Sequence, residues 1–213
     1  MQEDDIHAII ERIYESKCLE LRIDNQDTLR GRFLQTVCAK LPQRTIDLSN
    51  QQIRASTVPY VVELIKALSG RVDSLVLDNN PLMDDGCLLL LDAFDELRTY
   101  KNLSLVSVGL NPEGVINFLA PFAHGSALQS LKLGSTPSAE RRNRFSEDSS
   151  RFMGEFLVQC HSLKTLDFSN TQLRSANGVY MFSAINGRSS LQELILANTG
   201  VSNQAIQQLC VKK

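Results

Sequence analysis

Apolar residues recur along this chain at two alternating spacings. The stretch LKTLDFSNTQL, residues 163 to 173, places Leu163, Leu166, Phe168 and Leu173 at relative positions 1, 4, 6 and 11. Neither the 3.6-residue period of a helix nor the 2-residue period of a strand produces that series alone. With Phe168 as an anchor, the equivalent positions are Leu21, Leu48, Leu77, Leu105, Leu133, Phe168 and Leu196, separated by 27, 29, 28, 28, 35 and 28 residues. Two residues before each anchor stands an aliphatic side chain: Leu19, Ile46, Leu75, Leu103, Leu131, Leu166 and Leu194. Such pairs predict seven short strands that each bury one face. Five residues after the anchors, Ile53, Leu82, Leu110, Leu173 and Val201 recur, and the repeat anchored on Leu133 departs with Ser138.

The second half of each unit changes period. Val58, Val61, Val62, Ile65 and Leu68 follow Leu48, while Cys87, Leu90, Leu91, Phe94 and Leu97 follow Leu77 at the same offsets. Val115, Phe118, Leu119 and Phe122 follow Leu105 in the same way. Spacings of 3, 4 and 7 form one face of an amphipathic helix. Each unit therefore reads as strand, turn and helix. One such unit cannot bury its own apolar face, so neighbours must stack, with strands in a parallel sheet and helices in an outer layer.

Stacks need covered ends. Ile6, Ile9, Ile10, Ile13 and Tyr14 form a helical stripe behind Glu3, Asp4 and Asp5, whose charges suit a helix N-terminus. Residues 3–17 are thus expected to form a capping helix, with a cap over 1–18 and one repeat domain over 19–213. At the far end, Ile206, Leu209 and Cys210 are expected to point inward on a last helix. The 35-residue step marks an insertion, GSTPSAERRNRFSEDSS, expected as a loop over 134–150 on one rim. It holds Arg141, Arg142 and Arg144, with Arg151 directly after it, beside Glu140, Glu147 and Asp148, and reads as a partner-binding loop, a phosphorylation site or a solvated loop.

Composition narrows the function classes. The net charge of −2 lacks the basic footprint of a nucleic-acid binder. No apolar run reaches 18 residues, so no membrane insertion is expected. The acidic N-terminus does not read as a signal peptide. The five cysteines, Cys18, Cys38, Cys87, Cys160 and Cys210, are odd in number and widely spaced, which fits core thiols in an intracellular, cytoplasmic setting better than a disulfide framework. No phosphate-binding glycine loop, zinc motif or nucleophile elbow occurs, and His7, His124 and His161 fall in no catalytic pattern. The expectation is a chain that is not an enzyme, needs no cofactor or metal and takes no small-molecule substrate.

The spacing resembles the leucine-rich repeats, L-x-x-L-x-L-x-x-N-x-L, and the 28-to-29-residue units are similar to the ribonuclease-inhibitor type. VDSLVLDNNPL, residues 72 to 82, carries the resemblance best, with Asn80 at the asparagine position. Elsewhere that position holds Gln51, Val108, Thr136, Thr171 or Thr199. The resemblance implies an α/β leucine-rich-repeat solenoid: a right-handed horseshoe arc of about seven repeats, parallel β-sheet on the concave face, α-helices on the convex face, and an N-terminal capping helix. It also implies that strand residues between the buried ones line the concave face. One residue before the anchors that column reads Glu20, Asp47, Val76, Ser104, Lys132, Asp167 and Ile195; one residue after, it reads Arg22, Ser49, Asp78, Val106, Gly134, Ser169 and Ala197.

Val76, Val106 and Ile195 read either as an apolar contact centre rimmed by charge or simply as good strand formers. The expected function is a non-catalytic adaptor or scaffold that binds another protein through this face, with Arg141, Arg142 and Arg144 of the insertion as a second contact region. Two alternatives stay open. The Ran GTPase activators have similar repeats, with Arg22 and Asn25 as the residues for such a role. The tropomodulin family also has similar repeats, which would make the chain an architectural component associated with the cytoskeleton.

Overall fold

The computed structural model describes residues 3–185 and 189–210. Six strands form one open parallel sheet in sequence order: β1 (Thr45–Asp47), β2 (Ser74–Val76), β3 (Asn102–Ser104), β4 (Ser130–Lys132), β5 (Thr165–Asp167) and β6 (Glu193–Ile195). The register keeps equivalent residues side by side, so Ile46, Leu75, Leu103, Leu131, Leu166 and Leu194 make one row across the sheet. The ladder continues past each strand. The backbone N–H groups of Leu48, Leu77, Leu105, Leu133 and Phe168 each donate at 2.9 Å to a carbonyl of the next unit. The anchors are therefore fixed in register as well as buried.

Each connection returns through helix on one side of the sheet, as parallel strands require. The helices are α1 (Glu3–Leu21), α2 (Asp27–Cys38), α3 (Val58–Ala67), α4 (Met83–Leu89), α5 (Phe94–Leu97), α6 (Pro112–Leu119), α7 (Glu147–Gln159), α8 (Arg174–Ile185) and α9 (Asn203–Cys210). Local sequence sets their starts. Pro59 and Pro112 sit in first turns, where a missing N–H costs nothing. Ser146 caps α7 by accepting from the Ser149 N–H, and the Ser149 hydroxyl accepts from the Ser146 N–H at 2.9 Å, a reciprocal capping box. The predicted helix stripes point inward: Val58, Val61, Ile65, Cys87, Leu90, Val115, Phe118 and Leu119 are fully buried. Strand leucines and helix stripes meet in one continuous core. Cys210 lies outside the residues whose side chains are described.

The first expected strand does not form. Leu19 and Leu21 end α1, Leu19 is 81% exposed, and residue 18 falls inside the helix rather than at a boundary. The sheet thus has six strands instead of seven. A second helix, α2, completes a hairpin that packs through Tyr14 and Phe33, whose rings lie 5.5 Å apart. A short 3-10 turn, Leu41–Gln43, then leads into β1. The inward helix stripe Ile6, Ile9, Ile10, Ile13 and Tyr14 holds as expected, and Cys18 extends it.

The insertion falls between β4 and the asparagine position of its unit. Adding the seven extra residues moves that position from Thr136 to Asn143 and moves the apolar position after it from Ser138 to Phe145. Asn143 is 1% exposed, and Phe145 packs edge-on to Phe168 with centroids 5.1 Å apart. The last residues of the expected 134–150 loop are already helix, since α7 begins at Glu147.

Candidate functional site

Because side chains alternate across a strand, the residues beside the buried row form the open face of the sheet. The register brings Asp47, Val76, Ser104, Lys132, Asp167 and Ile195 into one file. Ser49, Asp78, Val106, Gly134, Ser169 and Ala197 follow two residues later at the strand exits. Val76, Val106 and Ile195 are half-buried, and Lys132 is exposed. A depression of about 290 Å³ lies over Ser74, Val76, Asp78, Asn102, Ser104 and Lys132. The face predicted from the sequence is thus assembled, apart from its first members: Glu20 and Arg22 lie at the end of α1 and in the following turn, away from the strands. Asn25 belongs to the same turn.

The aspartates of this face already have work in the fold. Asp47 Oδ1 accepts the Ser49 N–H at 3.0 Å and its hydroxyl at 2.7 Å. Asp78 Oδ1 accepts the Ser104 hydroxyl at 2.6 Å and the Val106 N–H at 3.0 Å. Asp167 Oδ1 accepts the Ser169 N–H at 2.7 Å. Each carboxylate satisfies a backbone donor where the strand ends, a charge-assisted bond. Lys132 has no partner among the described residues, so it is the free charge at the middle of the face. Gly134 is constrained by contact: a Cβ there would lie 2.8 Å from the Ser169 carbonyl oxygen.

Asparagine side chains hold the turns beyond the strands. Asn80 Oδ1 accepts the N–H groups of Gln51 and Ile53 at 3.1 and 2.9 Å, and its Nδ2 donates to the carbonyls of Leu48 and Leu77 at 2.8 Å each. Asn143 repeats this arrangement across the insertion. Its Oδ1 accepts from Gly109 and Leu110 at 3.1 and 3.0 Å, and its Nδ2 donates to Leu105 and Leu133 at 2.7 and 3.0 Å. Thr171 and Thr199 substitute in part, each donating its hydroxyl proton back to a carbonyl of its own turn, that of Phe168 at 2.7 Å and of Leu196 at 2.9 Å. Val108 instead fills the position with buried hydrocarbon.

The loop arginines do not lie over the strands. The loop leaves β4 with Ser135 donating to the Ser169 carbonyl at 2.7 Å, and it rejoins the frame where Arg144 N–H meets the Leu110 carbonyl at 2.9 Å. Arg141 sits above the turns of the earlier units, in a cleft with Gln52, Asn79 and Ser107. Arg142 and Arg144 face the other way, toward Gln172, Arg174 and Asn177. The open face and the insertion are therefore two separate regions.

Two further columns escaped the sequence reading. Asn50, Asn79, Ser107, Asn170 and Asn198, two residues past their anchors, all adopt φ between +55° and +60°. Asparagine tolerates that left-handed region better than most residues, and its recurrence was the available signal. Nine residues past the anchors, allowing for the insertion, small or short side chains recur: Thr57, Gly86, Gly114, Ser149, Asn177 and Ala205. They face the preceding unit. A Cβ on Gly114 would lie 2.0 Å from Asp84 Oδ1.

Burial and the nearby Asp84 carboxylate push the Cys87 thiol far above its ordinary range, so it stays protonated. Tyr100 is buried with its hydroxyl unpartnered, and burial raises its pKa as well. Among the described residues no three side chains of metal-ligand type cluster, and no helix is long and apolar enough to cross a membrane. No protein-family model matches the chain, and no curated protein matches it.

Proposed function

We propose that this chain is a leucine-rich-repeat module of the ribonuclease-inhibitor-like type that binds another protein through the concave side of its sheet. The repeat type is supported by the two asparagines, Asn80 and Asn143, that bond backbone groups of two adjacent turns each. The observation that carries the binding reading is the open face itself. Six parallel strands present half-buried Val76, Val106 and Ile195, with Lys132 exposed between Ser104 and Asp167. Apolar side chains interleaved with fixed carboxylates and one free ammonium group suit a protein contact of mixed character. The carboxylates, held by donors at the strand exits, form a pre-organised rim that loses little entropy on binding.

The test is a Val76→Arg/Val106→Arg double variant in affinity purification with mass spectrometry. Two arginines over the middle strands are expected to remove partners that the wild type retains, while the thermal unfolding profile stays cooperative. An unchanged partner set with an intact fold rejects the face as the contact surface.

A further inference from the structure

The insertion walls a cavity of about 870 Å³ together with the turn before α8 and its first residues. That volume lies in the range of sites that hold a ligand or a short peptide, roughly 300–1,000 Å³. Its floor is firm, because Asn143 is tied into the backbone of two units and Phe145 is packed against Phe168.

The charges around it are unevenly satisfied. Arg142 Nη2 donates to the Pro137 carbonyl at 2.6 Å, and the Glu147 carboxylate is paired with Arg151 at 2.7 Å. The guanidinium groups of Arg144 and Arg174 have no hydrogen-bond or ion-pair partner among the described residues. Against these two cations stands one unpaired carboxylate, Glu140. Two amide side chains complete the wall. Gln172 is exposed, and Asn177 donates to the Phe145 carbonyl at 3.3 Å, leaving its own oxygen to accept.

We propose that this cavity binds an oxyanion, phosphate or carboxylate, carried on an extended peptide segment of a partner protein. Guanidinium forks match such groups bidentately, and amide side chains pair with peptide backbone. Arg144 and Arg174 come from adjacent units and line one cavity because the insertion folds back beside the turn before α8. The chain as a whole carries a net charge of −2, so a long polyanion such as nucleic acid gains little away from this spot, whereas a short segment with one anionic group gains the whole of it. This inference rests on the protein-binding reading but not on the open face.

Three immobilised seven-residue peptide libraries test it, with randomised flanks around a central phosphoserine, glutamate or serine. The intact chain is expected to be retained on at least one acidic library and not on the serine library. Retention on phosphoserine alone assigns phosphate, on glutamate alone assigns carboxylate, and on both assigns either group. An Arg144→Ala/Arg174→Ala double variant is expected to bind at least about ten-fold more weakly, the loss of a charge-assisted bond or more. Arg32→Ala, an exposed arginine on α2, binds as the wild type does. Retention no better than on serine, or equal binding by the double variant, overturns the proposal. Matching circular-dichroism melts separate a binding loss from a folding loss. The Val76→Arg/Val106→Arg variant retains library binding, so failure at the open face and failure at the cavity are read separately.

Discussion

The two ends of the sheet are built alike and buried differently. At the β1 end, the α1–α2 hairpin and the turn before the strand close over the core, and Ile46 and Leu48 are fully buried. Ser16 and Lys17 of α1 reach Thr57 and Gln51 of the first unit at 3.1 and 3.4 Å, fastening the cap. At the β6 end no described residue plays that part. Leu194 and Leu196, at the same positions in their unit, are only half-buried. Ile206, expected to point inward, is 42% exposed, although its equivalents Val58, Cys87 and Val115 are fully buried. The reason is geometric: ten residues past the anchor faces the following unit, and nine residues past faces the preceding one, which is why Ala205 is buried beside it. Burial here belongs to the neighbour as much as to the residue.

The largest expected effect sharpens that contrast directly. Leu48→Ala leaves a cavity in a closed core and is expected to cost about 2–5 kcal/mol. Leu196→Ala removes the same atoms from a half-covered site and is expected to cost about 1 kcal/mol, because solvent already reaches it. Urea unfolding of both variants measures the difference. Equal costs would mean that the β6 end is as closed as the β1 end, and the comparison would fail.

A smaller gap is expected between two turns of the later units, one beside the insertion and one at the β6 end. Asn143→Ala would orphan two N–H groups and strip a donor from two carbonyls in the buried frame, a loss of about 2–3 kcal/mol. Thr199→Ala at the β6 end removes one bond, from its hydroxyl to the Leu196 carbonyl, and is expected to cost about 1 kcal/mol or less. Similar values at both sites, by the same urea titrations, would show that Asn143 does not hold the insertion to the frame.

How legible this was in the sequence follows from the same positions. Six of the seven anchors lie where the spacing put them, since a 28-residue unit leaves room for little but a strand and its returning helix. Leu21 misled because an L-x-L pair fits a helix end as well. Its unit also lacked the flanking signals: Ser16 stands five residues before the anchor, where the last five units carry Val72, Tyr100, Leu128, Leu163 and Leu191, and Gln26 stands five after it, where Ile53, Leu82, Leu110, Leu173 and Val201 recur. The insertion was visible as a long step, but its place was not, because the anchors bracket it without saying which side of the asparagine position it enters. Asking which asparagine of the insertion is followed two positions later by an apolar residue would have found Asn143 and Phe145. The open face was readable because register carries it across the strands. The placing of Arg144 and Arg174 around one cavity was not, since it depends on how an irregular loop folds back. Nor was the structural use of Asp47, Asp78 and Asp167, which compose the predicted rim yet are bonded to strand exits, Asp47 and Asp167 to their own and Asp78 to that of the next strand.

The smallest expected effect concerns an ion-pair row that only the β1 half possesses. One residue before the strands, Arg44, Asp73 and Lys101 stand side by side, with Arg44 and Lys101 at 3.1 and 3.2 Å from Asp73 Oδ2. Gln129, Lys164 and Gln192 hold the same places in the later units, so no carboxylate continues the row. Partial burial alone would raise the Asp73 pKa, but the hydrogen bonds and charges of Arg44 and Lys101 outweigh it and hold the carboxyl below its usual value. A depressed folded-state pKa means that the folded chain binds fewer protons than the unfolded one. Its stabilisation is therefore fully present above the unfolded aspartate value, about 3.9, and is lost as pH falls from there through the folded value. Both cations are about half exposed, so the contribution is expected to be about 1 kcal/mol or less and to shrink with salt. Thermal melts of wild type and Asp73→Asn are expected to differ at pH 7, to converge as pH drops below 4, and to differ less in high salt. A gap that persists at low pH would assign the stabilisation to uncharged contacts of the Asp73 side chain rather than to its charge, and the electrostatic part of the contrast between the two halves would be withdrawn.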